Sequence, residues 1–458
     1  MSTLITVVYP FVFLCIFWSH PSLQDRASEK RDYRGYSLVR IEPTTEDDYG
    51  YVQSLLRNPK LRRAGLDTWQ NLGSPHAIEV LTSPAAKAKL SDLLNERGIH
   101  STVVVENVQT LIDQESEAIR FNKNVLRDDA SIRRSSVKFF RLDRYHSYNE
   151  IKDYLYDLEQ SYPSLVDIIP LSRRTHEGRQ LYVAKIGKRG RNKPAVFIQG
   201  GIHAREWIAP ASAICFIDKL VDGYSWNSEI RKYLENMDIY ILPLVNPDGY
   251  EYTRTHDRFY RKNRNPNNNA LSPDCRGVDL NRNYDFDWGG GGASRYKCDS
   301  DYRGRHAFSE PETDAIKKFL FTIKSQLEGF VDMHCYAQLF AYPYGHRKSN
   351  PSPDADHLKH VARRVAAKIK TFYGTEYVVD SAADFLYPVS GASSDWAKGA
   401  LDVKYAYLIE LRPKYTSVSG LYGFMLQESE ILPVCEETFG GMEVIFDQVY
   451  RQSRRRQL

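Results

Sequence analysis

The stretch GGIHAREWIAP, residues 200–210, sets a histidine, an arginine and a glutamate within four positions, directly after the apolar run AVFIQ at 195–199. The apolar run reads as a buried strand, and the paired glycines let the chain turn sharply off its end. A single turn between His203 and Glu206 would bring both side chains toward one point. Neutral imidazole and carboxylate are both good zinc ligands, at ~2.0–2.2 Å. The pattern H-x-x-E is common and proves little by itself. A third ligand has to come from a neighbouring strand end, and His334 in VDMHCY closes another apolar run. Two histidines and a glutamate with an open fourth position make a catalytic zinc set.

Around that stretch the chain alternates. LYVAKIG (181–187), AVFIQGG (195–201), DIYILPLVN (238–246), GFVDMHCY (329–336) and YAYLIELR (405–412) read as buried strands. The segments at 149–163, 211–224, 312–326 and 356–374 carry helical periodicity. Continuous apolar strands with helices between them predict an α/β fold: a mixed central β-sheet covered by helices on both faces. Sites in such sheets form at strand ends. Before this part, YSLVRIEP (36–43), a helical 45–57, AIEVLTSP (77–84), a helical 85–98 and STVVVENVQ (101–109) predict a small α+β module. A charged, polar segment with the dibasic pair Arg133-Arg134 follows it.

The 62 basic and 58 acidic residues nearly cancel, giving a net charge of +4, so nothing points to nucleic acid. Leu4 to Trp18 is apolar and too short to span a bilayer comfortably; it reads as the core of a secretory signal peptide cut between Ser19 and Gln24. No stable membrane insertion is expected, and the chain is expected to be extracellular. Of six cysteines, Cys15 leaves with the signal and an odd number remains. Cys335 lies in an apolar run as a buried thiol. Cys275 and Cys298 enclose a loop rich in Asn, Gly and Asp. Cys215 and Cys435 pair or stay free; sequence does not decide. The arginine-rich 451–458 reads as a solvated basic tail.

The second part resembles the zinc metallocarboxypeptidases of the pancreatic carboxypeptidase A/B type. The likeness covers about residues 135–450, where GGIHAREWIAP, LVNPDGY, RKNR, GVDLNRNYD, FSEPET, HCYAQLFAYPYG, SGASSDWA and YLIELR recur in family order. The first part resembles that family's activation propeptide, with Arg133-Arg134 where the family is cleaved. The resemblance implies a signal peptide at 1–23, a propeptide at 24–134, a catalytic domain at 135–450 and the basic tail at 451–458. It implies a secreted zymogen, expected to be a monomer, that an activating protease of trypsin-like specificity releases to act on peptides and proteins with a free C-terminus.

Residue by residue, the resemblance implies that His203, Glu206 and His334 bind one zinc ion. Glu410 matches the general base for the attacking water, and Arg261 the arginine that steadies the oxyanion. Asn281 and Arg282 match the clamp for the substrate's terminal carboxylate, and Tyr387 the mobile tyrosine that closes over it. Arg205 matches a contact one residue further from the end. Asp279 matches a carboxylate that orients a zinc histidine, and the Cys275–Cys298 spacing agrees with the family's disulfide. Three departures stand out. Cys335 replaces the usual serine after the third ligand. Ser394 stands where the basic-specific branch has aspartate, and Gly345 matches the branch preferring apolar and aromatic ends. Asp332 lies on the strand face of His334 and, if it reaches the pocket, favours basic ends instead. A silent peptide-binding relative would have lost a ligand or the base, and none is lost. The regulatory branch, with its extra C-terminal β-domain, fits the chain less well.

Overall fold

A computed structural model describes residues 30–71, 77–128, 140–266, 275–414 and 423–457. The expected signal segment and the Arg133-Arg134 pair lie outside the described residues.

The first module is a four-stranded antiparallel sheet. Its strands are β1 (Ser37–Glu42), β2 (Leu66–Asn71), β3 (Ile78–Thr82) and β4 (His100–Val105), in the order β2-β3-β1-β4. The helices Glu46–Leu56 and Pro84–Glu96 pack on one face against Val39, Ile41, Ile78 and Val80. Both start on capped N-termini: Thr45 accepts from Asp48 N and Ser83 from Ala86 N, satisfying donors the first turn leaves open. Because strand side chains alternate, Leu38, Trp69 and Leu81 point the other way, into the core of the large domain. Strand β2 and the helix Val108–Asp128 go beyond the sequence reading. LDTWQN has little apolar content, and the helix is mostly polar.

The large domain holds eight strands: β5 (Val166–Arg174), β6 (Gln180–Ile186), β7 (Ala195–Gly200), β8 (Asp238–Leu242), β9 (Leu327–Cys335), β10 (Leu339–Tyr342), β11 (Val378–Ser381) and β12 (Tyr405–Leu411). Their order is β11-β10-β12-β9-β7-β8-β6-β5. β7 runs parallel to both β8 and β9, and β9 parallel to β12, while β6 and β10 pair antiparallel with β8 and β12. This is the expected mixed sheet with helices on both faces. β7 is buried along its whole length, which is why its sequence shows no polar alternation. The connection from β7 leads to β8 on one side, and β9 lies on the other, so a crevice opens at their carboxyl ends.

The glycines after β7 are needed there. A Cβ on Gly200 would lie 2.9 Å from the Ala209 carbonyl oxygen, and Gly201 has φ +69°. The close approach seats the helix Ile208–Trp226 against the strand end.

Cys215 on that helix is joined to Cys435 on the long helix Ile431–Gln457, and Cys275 to Cys298. Cys335 is a free, buried thiol. The basic segment expected to be a solvated tail continues the last helix as far as Gln457, with Arg451, Arg454 and Arg455 exposed. Replacing Cys215 and Cys435 together by serine should lower the unfolding free energy by about 2–5 kcal/mol. Urea unfolding measures this, and an unchanged midpoint would show that the bond contributes nothing.

Candidate active site

His203 and Glu206 sit in the turn after β7, His334 near the end of β9 and Glu410 near the end of β12, paired in register with His334. The sheet thus gathers at one point residues far apart in the chain. His203 Nδ1 lies 2.8 Å from Glu206 Oε1 and 3.2 Å from His334 Nδ1, and His334 Nδ1 lies 3.1 Å from Glu206 Oε2. Ligands held at ~2.0–2.1 Å in a tetrahedral shell stand ~3.3 Å apart, so this cluster has the spacing a zinc ion requires. All three residues are buried.

The outer nitrogen of each ring faces a carboxylate. His203 Nε2 is 3.2 Å from Asp279 Oδ1, and His334 Nε2 is 3.0 Å from Asp332 Oδ2. A carboxylate can only accept, so both Nε2 atoms carry the proton and both Nδ1 lone pairs face the metal position. Burial opposes the charge of Glu206, but the two histidines beside it hold its carboxyl well below the usual range. The sequence placed Asp332 on this face and left open whether it reaches the pocket. It is wholly buried, and besides His334 it accepts from Ser393 Oγ.

Asp279 is a hub. It accepts from Arg261 Nε and Nη2 at 3.1 and 2.9 Å, and it caps the short turn Leu280–Arg282 through Asn281 N at 2.9 Å. Burial raises its carboxyl, but Arg261, Arg282 and His203 together hold it well below the ordinary value. Arg261 also comes within 3.8 Å of Glu206. Burial works against its charge, and the carboxylates of Asp279 and Glu206 more than compensate.

Arg282 gives Nε to the Gly292 carbonyl at 2.7 Å and Nη2 to the Tyr387 hydroxyl at 3.0 Å. Asn281 Oδ1 accepts from Ser393 N at 2.9 Å, which ties this turn to the helix Ser393–Gly399 carrying Ser394. That helix is fixed by Asp395, which accepts from Gly345 N at 2.8 Å. Asn281, Arg282, Tyr387, Gly345 and the helix carrying Ser394 are therefore joined by one set of hydrogen bonds, and Asn281 reaches His334. Glu410 stands beside His334, in register with it on β12. Burial pushes its carboxyl up to about 8, with Glu206 adding to the effect and His334 opposing it. A divalent cation at the three ligands would pull it back down.

Arg205 is occupied. Its Nη1 bonds Asp67 Oδ2 at 2.7 Å, its Nη2 bonds the Thr68 carbonyl at 3.2 Å, and its guanidinium lies over Phe424. Both acceptor oxygens belong to β2 of the first module. Nearby, Trp69 packs on Phe259 and Phe424, and Glu115 takes two bonds from Arg258, at 2.6 and 3.0 Å. Arg258 in turn stacks on Trp207, 3.8 Å from its ring. Gln70 donates to the Tyr336 carbonyl and the Tyr336 hydroxyl to Glu79. These contacts dock the first module next to the ligands: Arg205 lies between His203 and Glu206, and Tyr336 two residues beyond His334. Sequence reasoning missed the pairs Asp67–Arg205 and Glu115–Arg258, because long-range charge partners leave no local pattern.

A second group, His176, Glu310 and Glu312, also has metal-like spacing. Glu310, however, already accepts from His176, Asn263, Asn265 and Ser309. Burial and the neighbouring Glu310 push the Glu312 carboxyl up to about 8. A carboxylate filled with donors beside one that keeps its proton is a structural pair linking β5–β6 to the RKNR segment.

The zinc carboxypeptidase family model matches residues 151–441, and the carboxypeptidase activation peptide model matches residues 39–115. Carboxypeptidase A1 of Bos taurus is 33% identical over 419 residues, 91% of this chain and 94% of that protein. Carboxypeptidase O of Homo sapiens is 40% identical over 323 residues, 70% of this chain and 83% of that protein. The crystal structure of carboxypeptidase A from Helicoverpa armigera superposes with a TM-score of 0.80 at 26% identity, over 92% of this chain and 98% of that one.

Proposed function

This chain belongs to the zinc carboxypeptidase family and carries that family's activation peptide, and from that premise we propose that it is a secreted zymogen whose active form removes single apolar or aromatic residues from peptide C-termini. The chain is a zinc-dependent hydrolase. The observation that carries the finer reading is the carboxylate clamp, Arg282 bonded to Tyr387, standing on a turn that Asp279 also fastens to a ligand histidine.

In this reading His203, Glu206 and His334 hold the zinc ion. When bound, zinc supplies Lewis acidity for the scissile carbonyl and for the attacking water. Arg282, Asn281 and Tyr387 grip the terminal carboxylate, for which a forked guanidinium is suited. Arg261 faces the developing oxyanion, held in place by Asp279. Glu410 takes the proton from water as it attacks and passes it to the leaving amine. Arg205 meets the substrate one residue further from the end, once Asp67 has been withdrawn. The trypsin-like activating cut falls at Arg133-Arg134.

The preference for apolar ends rests on the side-chain pocket. Ser394 supplies no full charge, Gly345 adds no side chain, and the Asp332 carboxylate is turned onto His334 and Ser393. A panel of peptides ending in Phe, Leu, Lys, Arg and Glu tests this. Phe and Leu should exceed Lys and Arg in kcat/KM by ~10–200-fold, the range available to a pocket without a matching polar group. Ser394→Asp should narrow or reverse that ratio. A wild-type enzyme that prefers Lys and Arg would overturn the assignment.

A further inference from the structure

Asp279 behind His203 has a counterpart behind His334. Asp332 and His334 are two apart on β9 and so share a strand face. The Asp332 side chain is wholly buried, and its Oδ2 lies 3.0 Å from His334 Nε2. Ser393 Oγ donates to the same oxygen, while Ser393 N donates to Asn281 Oδ1.

From this geometry we infer that Asp332 is a positioning residue for the zinc centre, locking the His334 ring so that Nδ1 faces the metal. The inference rests on the reading of His334 as a ligand. Asp332 can only accept, so Nε2 must carry the hydrogen and Nδ1 is left with its lone pair. Asn281 Nδ2 stands 3.3 Å from the same Nε2, but an amide cannot donate to a nitrogen already protonated. The shorter carboxylate contact therefore sets the tautomer. Each ligand histidine is then oriented by its own buried carboxylate. Through Ser393 the His334 ring is also tied to Asn281, which stands beside the clamp.

The competing use of Asp332, as the receptor for a basic terminal side chain, fits less well. Oδ2 already meets a ring nitrogen and a hydroxyl; Oδ1 has no hydrogen-bond partner, but it is closed off from solvent and so from an entering side chain.

The test uses the full-length chain loaded with zinc, with metal loss to a chelating dye as the readout. Carboxylates behind ligand histidines typically contribute 10–100-fold in metal affinity, so Asp332→Asn should weaken zinc retention by ~10–100-fold. The metal-free variant should still fold, with a cooperative thermal transition, and the visible spectrum of the cobalt-loaded variant should shift. The trypsin-treated variant should keep the parent's ratio of Phe to Lys cleavage. Zinc retention equal to the parent's overturns the inference, as does a changed Phe-to-Lys ratio with retention intact. His334→Ala separates the two layers: if it keeps zinc, the ligand reading fails before Asp332 is at issue. If Asp332→Asn does not fold, Ser393→Ala, which removes only the hydroxyl on Oδ2, should weaken retention by a smaller factor. Parental retention in that variant also overturns the inference.

Discussion

Glu410→Gln should lower kcat by ~10²–10⁴-fold, the usual contribution of a positioned general base, while zinc content stays at one ion per chain. Glutamine keeps the shape of the side chain but offers no site for a proton. The ligand cluster of His203, Glu206 and His334 does not use Glu410, and KM for a peptide ending in Phe should change little. A fall in kcat with binding intact is the signature of an interaction made only in the transition state. Glu410 is raised to about 8 largely by burial, so the substitution also removes a carboxylate that is costly to ionise. The metal-free variant should therefore be no less stable than the parent. The measurements are zinc content, kcat and KM on the trypsin-treated protein. Activity within tenfold of the parent would exclude Glu410 as the base.

The uncut chain should be nearly inactive, and trypsin cleavage near Arg134 should raise its activity by orders of magnitude. The first module closes the site with charge as well as bulk. Asp67 occupies Arg205, Glu115 pairs with the buried Arg258, and Trp69 packs between Phe259 and Phe424. Removing one partner of a buried, hydrogen-bonded charge pair costs about 2–5 kcal/mol. Glu115→Ala alters Arg258 only in the closed form, because withdrawal of the module takes Glu115 away from Arg258 in the parent as well. The variant should consequently raise the activity of the uncut chain by ~10-fold or more and leave the cut enzyme unchanged. Equal activity before and after trypsin in the parent would remove the zymogen reading. A silent Glu115→Ala would show that bulk alone closes the site.

Where the sequence was legible, the reason was local. β7 and the turn carrying His203 and Glu206 announced themselves through an apolar run ended by glycines, and β9 and β12 through similar runs. The helices at 148–161, 208–226, 311–323 and 355–373 carried their periodicity openly. What escaped depended on contacts between distant segments. The Cys215–Cys435 bond required knowing that the helix after β7 packs on the last helix. That last helix did not register as one element because it contains Gly440-Gly441 and ends in charged residues. β10 and β11 are four residues each, too short for a period to register. Asp332 was placed on the correct strand face, but its partner Ser393 lies across the site on another element.

Asp279 has a consequence for what length of product leaves the enzyme. One carboxylate touches the outer nitrogen of His203, holds Arg261 and caps the turn that presents Asn281 and Arg282. If Asn281 and Arg282 grip the chain terminus as proposed, the point of cleavage and that anchor are measured from the same carboxylate. On the proposed function the side chain would act as a gauge set to one residue. A substitution at Ser394 would change which residue fits the gap, whereas resetting the gap would require moving Asp279, which would disturb the metal as well.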